Sequence, residues 1–270
     1  MDARTGKGMG ASRRKALPAG KPRLQRETVR KARRKRDAPA GKPTSPSVED
    51  DMEILSSASE SEYDIIRRNV HVVDAAGMSA SKKVRALLML EELCHSIDNG
   101  RDLQVSGGIK PLLRALQSRH DKVRASAAWA LATCCQNNPP VQNASLALDA
   151  VPILSNLAAH DASSGVRSRA LFALNAMLEL ESARAAFEEL PYAIDAVRNA
   201  LVDTSDFRAT RRALNLTELL VQKNLDSWKT QLEAWDIPIL VERLMRSHPD
   251  IDVRESAART IAALDGRPVA

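Results

Sequence analysis

The chain has 270 residues, 44 % of them hydrophobic but only 3 % aromatic, and alanine and leucine dominate the apolar set. Both are strong helix formers and alanine lets helices approach closely, while alternating Val, Ile, Tyr and Thr runs are missing, so sheet folds are excluded in favour of an all-α class. The net charge of +6 is uneven: residues 1–45 hold 15 Lys+Arg against 3 Asp+Glu, a net of +12, so the remainder carries −6. The basic character thus belongs to a tail, and nucleic-acid binding by the folded part is not indicated.

In chain order, residues 1 to about 46 contain Pro18, Pro22, Pro39, Pro43 and Pro46 and almost no large apolar side chains. Such a segment cannot bury enough surface to offset its conformational entropy, and disorder is expected. Within it, Arg33, Arg34, Lys35 and Arg36 have the charge density of a nuclear localisation signal, a pattern that solvated tails also share. Glu49 to Glu62 turns acidic and holds Ser56, Ser57, Ser59 and Ser61, as a solvated linker open to phosphorylation would. No segment approaches the ~18 apolar residues needed to cross a bilayer, and the start lacks the apolar stretch of a secretory signal. The expectation is a cytoplasmic protein with nuclear access and no membrane contact.

From Tyr63 onward the pattern is helical and repetitive. Small-residue pairs recur at Ala127-Ala128, Ala170-Leu171, Ala213-Leu214 and Ala257-Ala258, a period of 43 to 44 residues. Val123-Arg124, Val166-Arg167 and Val253-Arg254 precede three of them, and the third copy keeps Arg211 and Arg212 without the valine. A weaker copy sits at Val84-Arg85-Ala86-Leu87. Between copies, Gly107-Gly108-Ile109-Lys110-Pro111, Ala150-Val151-Pro152 and Asp236-Ile237-Pro238 each place a breaker before a helix with proline in its first turn, where the missing donor costs nothing. A period near 43 marks armadillo or HEAT units, which bury their apolar faces only by stacking. The prediction is an armadillo-like right-handed α-solenoid of about four repeats between about 80 and 265, capped by helices from 63. The domains are then 1–62 as tail and linker, 63–265 as repeats and 266–270 as a C-terminal tail.

No catalytic grouping stands out. The five histidines lack metal-ligand spacing, and Gly107-Gly108 lacks the Lys-Ser/Thr of a phosphate-binding loop. Cys94, Cys134 and Cys135 form no Cys-x-x-Cys pair and lie in apolar helical runs, so they are expected to be buried free thiols. The chain therefore shows no catalytic residues, no metal and no cofactor, and an interaction protein is expected rather than an enzyme. A solenoid's usable surface is the concave side, lined by the last helix of each repeat. Trp129, Thr133 and Gln136 share one helical stripe at i, i+4 and i+7, and Phe172 and Asn215 occupy the tryptophan's place in later repeats. Together with Arg212 they form the expected partner groove, with tryptophan as anchor.

Asp98, Asn99, Asp102 and Leu103, followed by Gly107-Gly108, resemble the "D-N-x-x-D-L…G-G" opening of one armadillo family. Ala127-Ala128-Trp129, then Gln136, Asn137, Asn138 and Pro139 with Val141-Gln142, resemble its "A-A-W…Q-N-N-P-x-x-Q" block. This is the armadillo-type nucleotide exchange factor of DnaK-like heat-shock chaperones, the heat-shock-70-binding protein family. The resemblance runs from about Lys82 to Leu178 by motif and to about Leu264 by repeat pattern. It implies a monomeric co-chaperone that binds the nucleotide-binding domain of a heat-shock 70 chaperone and accelerates ADP release. It also implies that Gln136-Asn137-Asn138-Pro139 forms a tight polar link between repeats. The alternative is an importin-α-like import adaptor, whose basic arm would contain Arg33 to Arg36. That family repeats a tryptophan with asparagine four residues later, whereas Trp129 is followed at that spacing by Thr133.

Overall fold

The computed structural model describes residues 60–267, and every regular element among them is a helix. Helices α1 (Glu62–Asp74) and α2 (Ala80–Leu93) form a leading pair. Four three-helix repeats follow: α3 (Ile97–Val105), α4 (Ile109–Ala115) and α5 (Asp121–Cys135); then α6 (Pro139–Leu146), α7 (Ala150–His160) and α8 (Ser164–Met177). The third repeat is α9 (Glu181–Glu188), α10 (Ala193–Val202) and α11 (Phe207–Lys223), and the last is α12 (Leu225–Ala234), α13 (Ile237–Ser247) and α14 (Ile251–Leu264). The four complete repeats thus begin at 97 rather than near 80, because the Val84-Arg85 copy sits on α2 of a two-helix cap. The basic run Arg33 to Arg36 lies outside the described residues.

Two layers stack. The long helices α2, α5, α8, α11 and α14 pack in series, and α7, α10 and α13 pack in series beside them. The small pairs explain the spacing of the first layer: Ala127, Ala128, Ala170, Leu171, Ala213, Leu214 and Ala257 are all fully buried. Truncating a buried leucine such as Leu131 or Leu171 to alanine would leave a cavity and destabilise by about 2–5 kcal/mol.

The entry into each second helix is a backbone device. Gly107 (φ 77°), Asp149 (φ 60°) and Asp236 (φ 59°) are left-handed and immediately precede or abut α4, α7 and α13. Glycine has no Cβ to oppose this conformation, and aspartate tolerates it because its short polar side chain bonds locally. The Val-Arg motif closes the same helices from the other end. Val123, Val166 and Val253 enter the core. The adjoining arginines donate to the carbonyl six residues back: Arg124 to Ser118 (2.8 Å), Arg167 to Asp161 (2.9 Å) and Arg254 to His248 (2.9 Å). These carbonyls follow a helix end, where the last carbonyls have no partner within the helix.

Two of these arginines, and Arg211 of the third copy, reach the next repeat. Arg124 grips Asp161 with two bonds, of 2.7 and 2.9 Å, and this pair is nearly dry. Burial alone would raise the Asp161 carboxyl, but hydrogen bonds from Arg124 and the Ser163 N–H, with the charge of Arg124, hold it below the usual range. Arg167 pairs with Asp203 at 3.2 Å and Arg211 with Asp252 at 2.9 Å, both more exposed.

One expectation about the cysteines fails. Cys94, at the end of α2, and Cys134, on α5, form a disulfide with Cα atoms 4.9 Å apart and 40 residues of separation. Stacking brings together residues one period apart, which local spacing does not reveal. Cys135 remains a free thiol, and burial pushes it up to about 12, so it is inert as a nucleophile.

Candidate functional site

The layer formed by α5, α8 and α11 carries a cleft of about 320 Å³ lined by Trp129, Gly165, Ser168, Arg169, Asp206, Arg208 and Arg212. Its floor is built from two repeated contacts. The Arg169 guanidinium lies 5.0 Å over the Trp129 ring, and that of Arg212 lies 4.8 Å over the Phe172 ring. In both, an aromatic of one repeat carries an arginine 40 residues later. The aromatic faces are electron-rich and the arginine stems cover apolar surface, so each stack holds a cation in place without neutralising it.

Arg212 is fixed further by bonds to the Ser168 carbonyl (2.9 Å) and hydroxyl (2.7 Å). Burial first, and then the charge of Arg169, brings its guanidinium down to about 10. Arg169 is lowered in the same direction, by burial and by Arg208. Three guanidinium groups thus share one cleft. The lone acid there, Asp206, is engaged as the cap of α11, where its carboxylate accepts from the N–H groups of Arg208 (3.1 Å) and Ala209 (3.2 Å).

Of the residues read from sequence as groove, Trp129, Phe172 and Arg212 are brought together here. Asn215 and Gln136 are exposed, on α11 and at the end of α5 respectively. Thr133 is buried, and its hydroxyl donates to Glu91 of α2 (3.0 Å), so the lower part of the tryptophan stripe turns into the repeat junction. Glu91 also pairs with His95 at 3.2 Å. Glu91, Glu92 and His95 are the one trio among the described residues with ligand-type atoms within 4.8 Å of one another, and Glu91 is already engaged by Thr133 and His95.

The family-motif residues do structural work. Asn99 donates to the Leu93 carbonyl (3.0 Å), and Asn138 donates to the Ile97 carbonyl (3.1 Å), tying α6 back to the previous repeat. The next residue, Gly100, leaves room for Asn138: a Cβ there would lie 2.6 Å from its amide nitrogen. Gln142 donates to the carbonyls of Cys135 (2.9 Å) and Ala176 (2.8 Å), spanning three helices. Asn137 takes the left-handed turn (φ 50°) and Pro139 starts α6. Leu103 is fully buried, and Gly108 packs so tightly that a Cβ would meet Leu103 and Val70 at 2.8 Å. Asp98 is exposed beside Arg101 at 3.5 Å, and the Asp102 carbonyl accepts from the Ser106 N–H (2.9 Å). Sequence reasoning missed Arg169, Arg208 and Ser168. The available signal was the recurring interval of 40 residues from aromatic to arginine.

The family model of the SIL1/FES1/HPBP1 C-terminal domain matches residues 99–231. Among curated relatives, the chain is 34% identical over 121 residues to "Hsp70 nucleotide exchange factor FES1" of Coccidioides immitis (strain RS), covering 45% of this chain and 57% of that protein. It is 29% identical over 124 residues to "Nucleotide exchange factor SIL1" of Rattus norvegicus, covering 46% of this chain and 27% of that protein. The matched region therefore spans little more than half of one relative and about a quarter of the other. Among solved structures, UNC-45 from Drosophila melanogaster is similar with a TM-score of 0.67 at 17% identity, over 79% of this chain and 27% of that one. The designed armadillo repeat protein YIII(Dq)4CqI gives 0.61 at 19% identity, over 80% and 86%. These likenesses establish the armadillo-type solenoid.

Proposed function

We propose that this chain, whose residues 99–231 match the family model of the SIL1/FES1/HPBP1 C-terminal domain, is a non-enzymatic nucleotide exchange factor. One copy would bind the nucleotide-binding domain of a heat-shock 70 chaperone through the face of α5, α8 and α11 and accelerate ADP release. The observation that carries the proposal is the match to relatives named as nucleotide exchange factors, and a cleft in the α5, α8 and α11 layer supports it.

The mechanism is differential affinity. A groove that holds one lobe of the chaperone domain best when the lobes stand apart must weaken ADP by the same factor, since coupling between two binding events is reciprocal. Each tenfold loss of ADP affinity requires about 1.4 kcal/mol of preference for the open arrangement. Release of ADP lets ATP enter, and the ATP-bound chaperone discharges its client. The test is stopped-flow release of a fluorescent ADP from a DnaK-type ATPase domain. The full chain should accelerate it at least tenfold; an unchanged rate overturns the proposal.

An import-adaptor role is disfavoured by charge, because Arg169, Arg208 and Arg212 would repel a basic cargo peptide. A cytosolic site with nuclear access rests on the basic run, and replacing Arg33, Arg34, Lys35 and Arg36 by alanine should lower the nuclear share of a tagged protein.

A further inference from the structure

Three observations at the cleft converge. First, neither Arg169, Arg208 nor Arg212 lies within 4.0 Å of any carboxylate among the described residues, although eleven other basic–acidic pairs form there. Second, Arg169 and Arg212 are held by aromatic faces and neutral Ser168 atoms, while the one acid of the lining, Asp206, acts on both only through its charge and forms no ion pair with either. Third, the cleft is open and about 320 Å³, room for one or two side chains rather than a folded segment. Holding like charges together in a half-buried site is unfavourable unless something else favours it. Guanidinium forks match a carboxylate bidentately.

We infer that the Trp129–Arg169–Arg208–Arg212 cleft is a seat for an acidic side chain, Asp or Glu, presented by the surface of the protein partner. Trp129 is the shelf beneath Arg169 and contacts the stem of the incoming residue. Arg169 and Arg208 supply the donors left free, while Arg212, already bonded to Ser168, supplies charge from below. The site is preorganised: the guanidiniums are gathered at folding, so the partner does not bear that entropic loss on docking. The inference deepens the exchange-factor proposal and rests on it for the identity of the partner, but the chemistry of the cleft can be tested separately.

The experiment compares the full chain with Arg169→Gln/Arg208→Gln, which leaves Arg212 and its bonds in place; thermal unfolding verifies that the variant folds. Two probes are used: the ATPase domain of a DnaK-type chaperone, and a fluorescein-labelled Glu-rich peptide read by polarisation. A parallel Lys-rich peptide and inorganic phosphate serve as competitors. The expected result is that the double variant binds the ATPase domain at least tenfold more weakly and with a shallower salt dependence, with Arg169→Lys/Arg208→Lys between. The acidic peptide should bind the parent chain and lose binding in the variant. If the parent accelerates ADP release and the Gln variant does so equally, with equal affinity, the cleft inference falls and the exchange proposal stands. If the parent does not act on the chaperone yet binds the acidic peptide through Arg169 and Arg208, the exchange proposal falls and the carboxylate seat stands. Displacement of the peptide by millimolar phosphate, or preference for the Lys-rich peptide, overturns the seat as a site for carboxylates.

Discussion

Arg167 and Arg169 stand two residues apart on α8 and do opposite things. Arg167 reaches forward to Asp203 and back to the Asp161 carbonyl, so its charge and donors are used within the fold. Arg169 lies on Trp129, pairs with no acid among the described residues, and shares a cleft with two more guanidiniums. Arg211 and Arg212 divide in the same way, the first facing Asp252 and the second resting on Phe172. One residue type thus serves as mortar at the edge of the helix layer and as an open contact on its face. The neighbours decide which: an aspartate near the start of the next repeat's third helix, or an aromatic one repeat earlier.

The sharpest way to break this comparison is at its most buried member. Arg124→Ala takes both of its hydrogen bonds from the buried Asp161 carboxylate, leaving it the Ser163 N–H, and should destabilise by about 3 kcal/mol in urea unfolding at neutral pH. The sign with pH follows from Asp161, whose folded-state acidity is held below its ordinary value. The contribution is present above the unfolded carboxyl range near pH ~4 and is lost as pH falls further through the folded value. The gap between parent and variant should therefore close in acid, and a gap constant down to pH ~3 would show that the pair is not its source.

Arg167→Ala, at a half-exposed pair with carbonyl bonds behind it, should cost about 1 kcal/mol by the same measurement. Arg211→Ala, at an exposed pair, should cost less than about 0.5 kcal/mol and less still at high salt. Arg169→Met, which keeps the stem over Trp129 and removes only the charge, should leave stability within about 0.5 kcal/mol. A loss above about 1 kcal/mol would mean that Arg169 is structural, and the division drawn here would collapse.

The repeat architecture was legible because it rests on short-range pattern: the small pairs, the buried valines and the prolines after left-handed turns recur at one interval. The Gln-Asn-Asn-Pro link was legible through the family resemblance rather than through its bonds, since Asn138 donates to Ile97 and Gln142 to Ala176, both far away in sequence. What escaped was everything joined across one period. The Cys94–Cys134 bond, the Thr133–Glu91 bond and the Trp129–Arg169 stack connect residues 40 to 42 apart, a separation with no local signature. Thr133 shows the consequence. Its place on the tryptophan stripe was right, but the stripe bends under the neighbouring α2 and the hydroxyl is buried. The boundary of the first full repeat moved for a related reason, because α2 presents a third-helix motif with only α1, rather than two helices, before it.

The long-range hydrogen bonds from one repeat to the next span from 36 residues, Arg167 to Asp203, to 46, Thr260 to Leu214. Each junction therefore carries load only to the next, as links do in series. When such a body is pressed against a partner, its compliances add, and bending collects at the softest link. The early junctions are stiff: a disulfide, a dry bidentate pair and the Asn138 and Gln142 amides lie between α2 and α8. Between α11 and α14 the charged ties are the exposed Arg211–Asp252 pair and the longer Arg259–Glu218 contact at 3.7 Å. The charged ties are in this sense graded along the solenoid, nearly dry at Arg124–Asp161 and exposed at Arg211–Asp252.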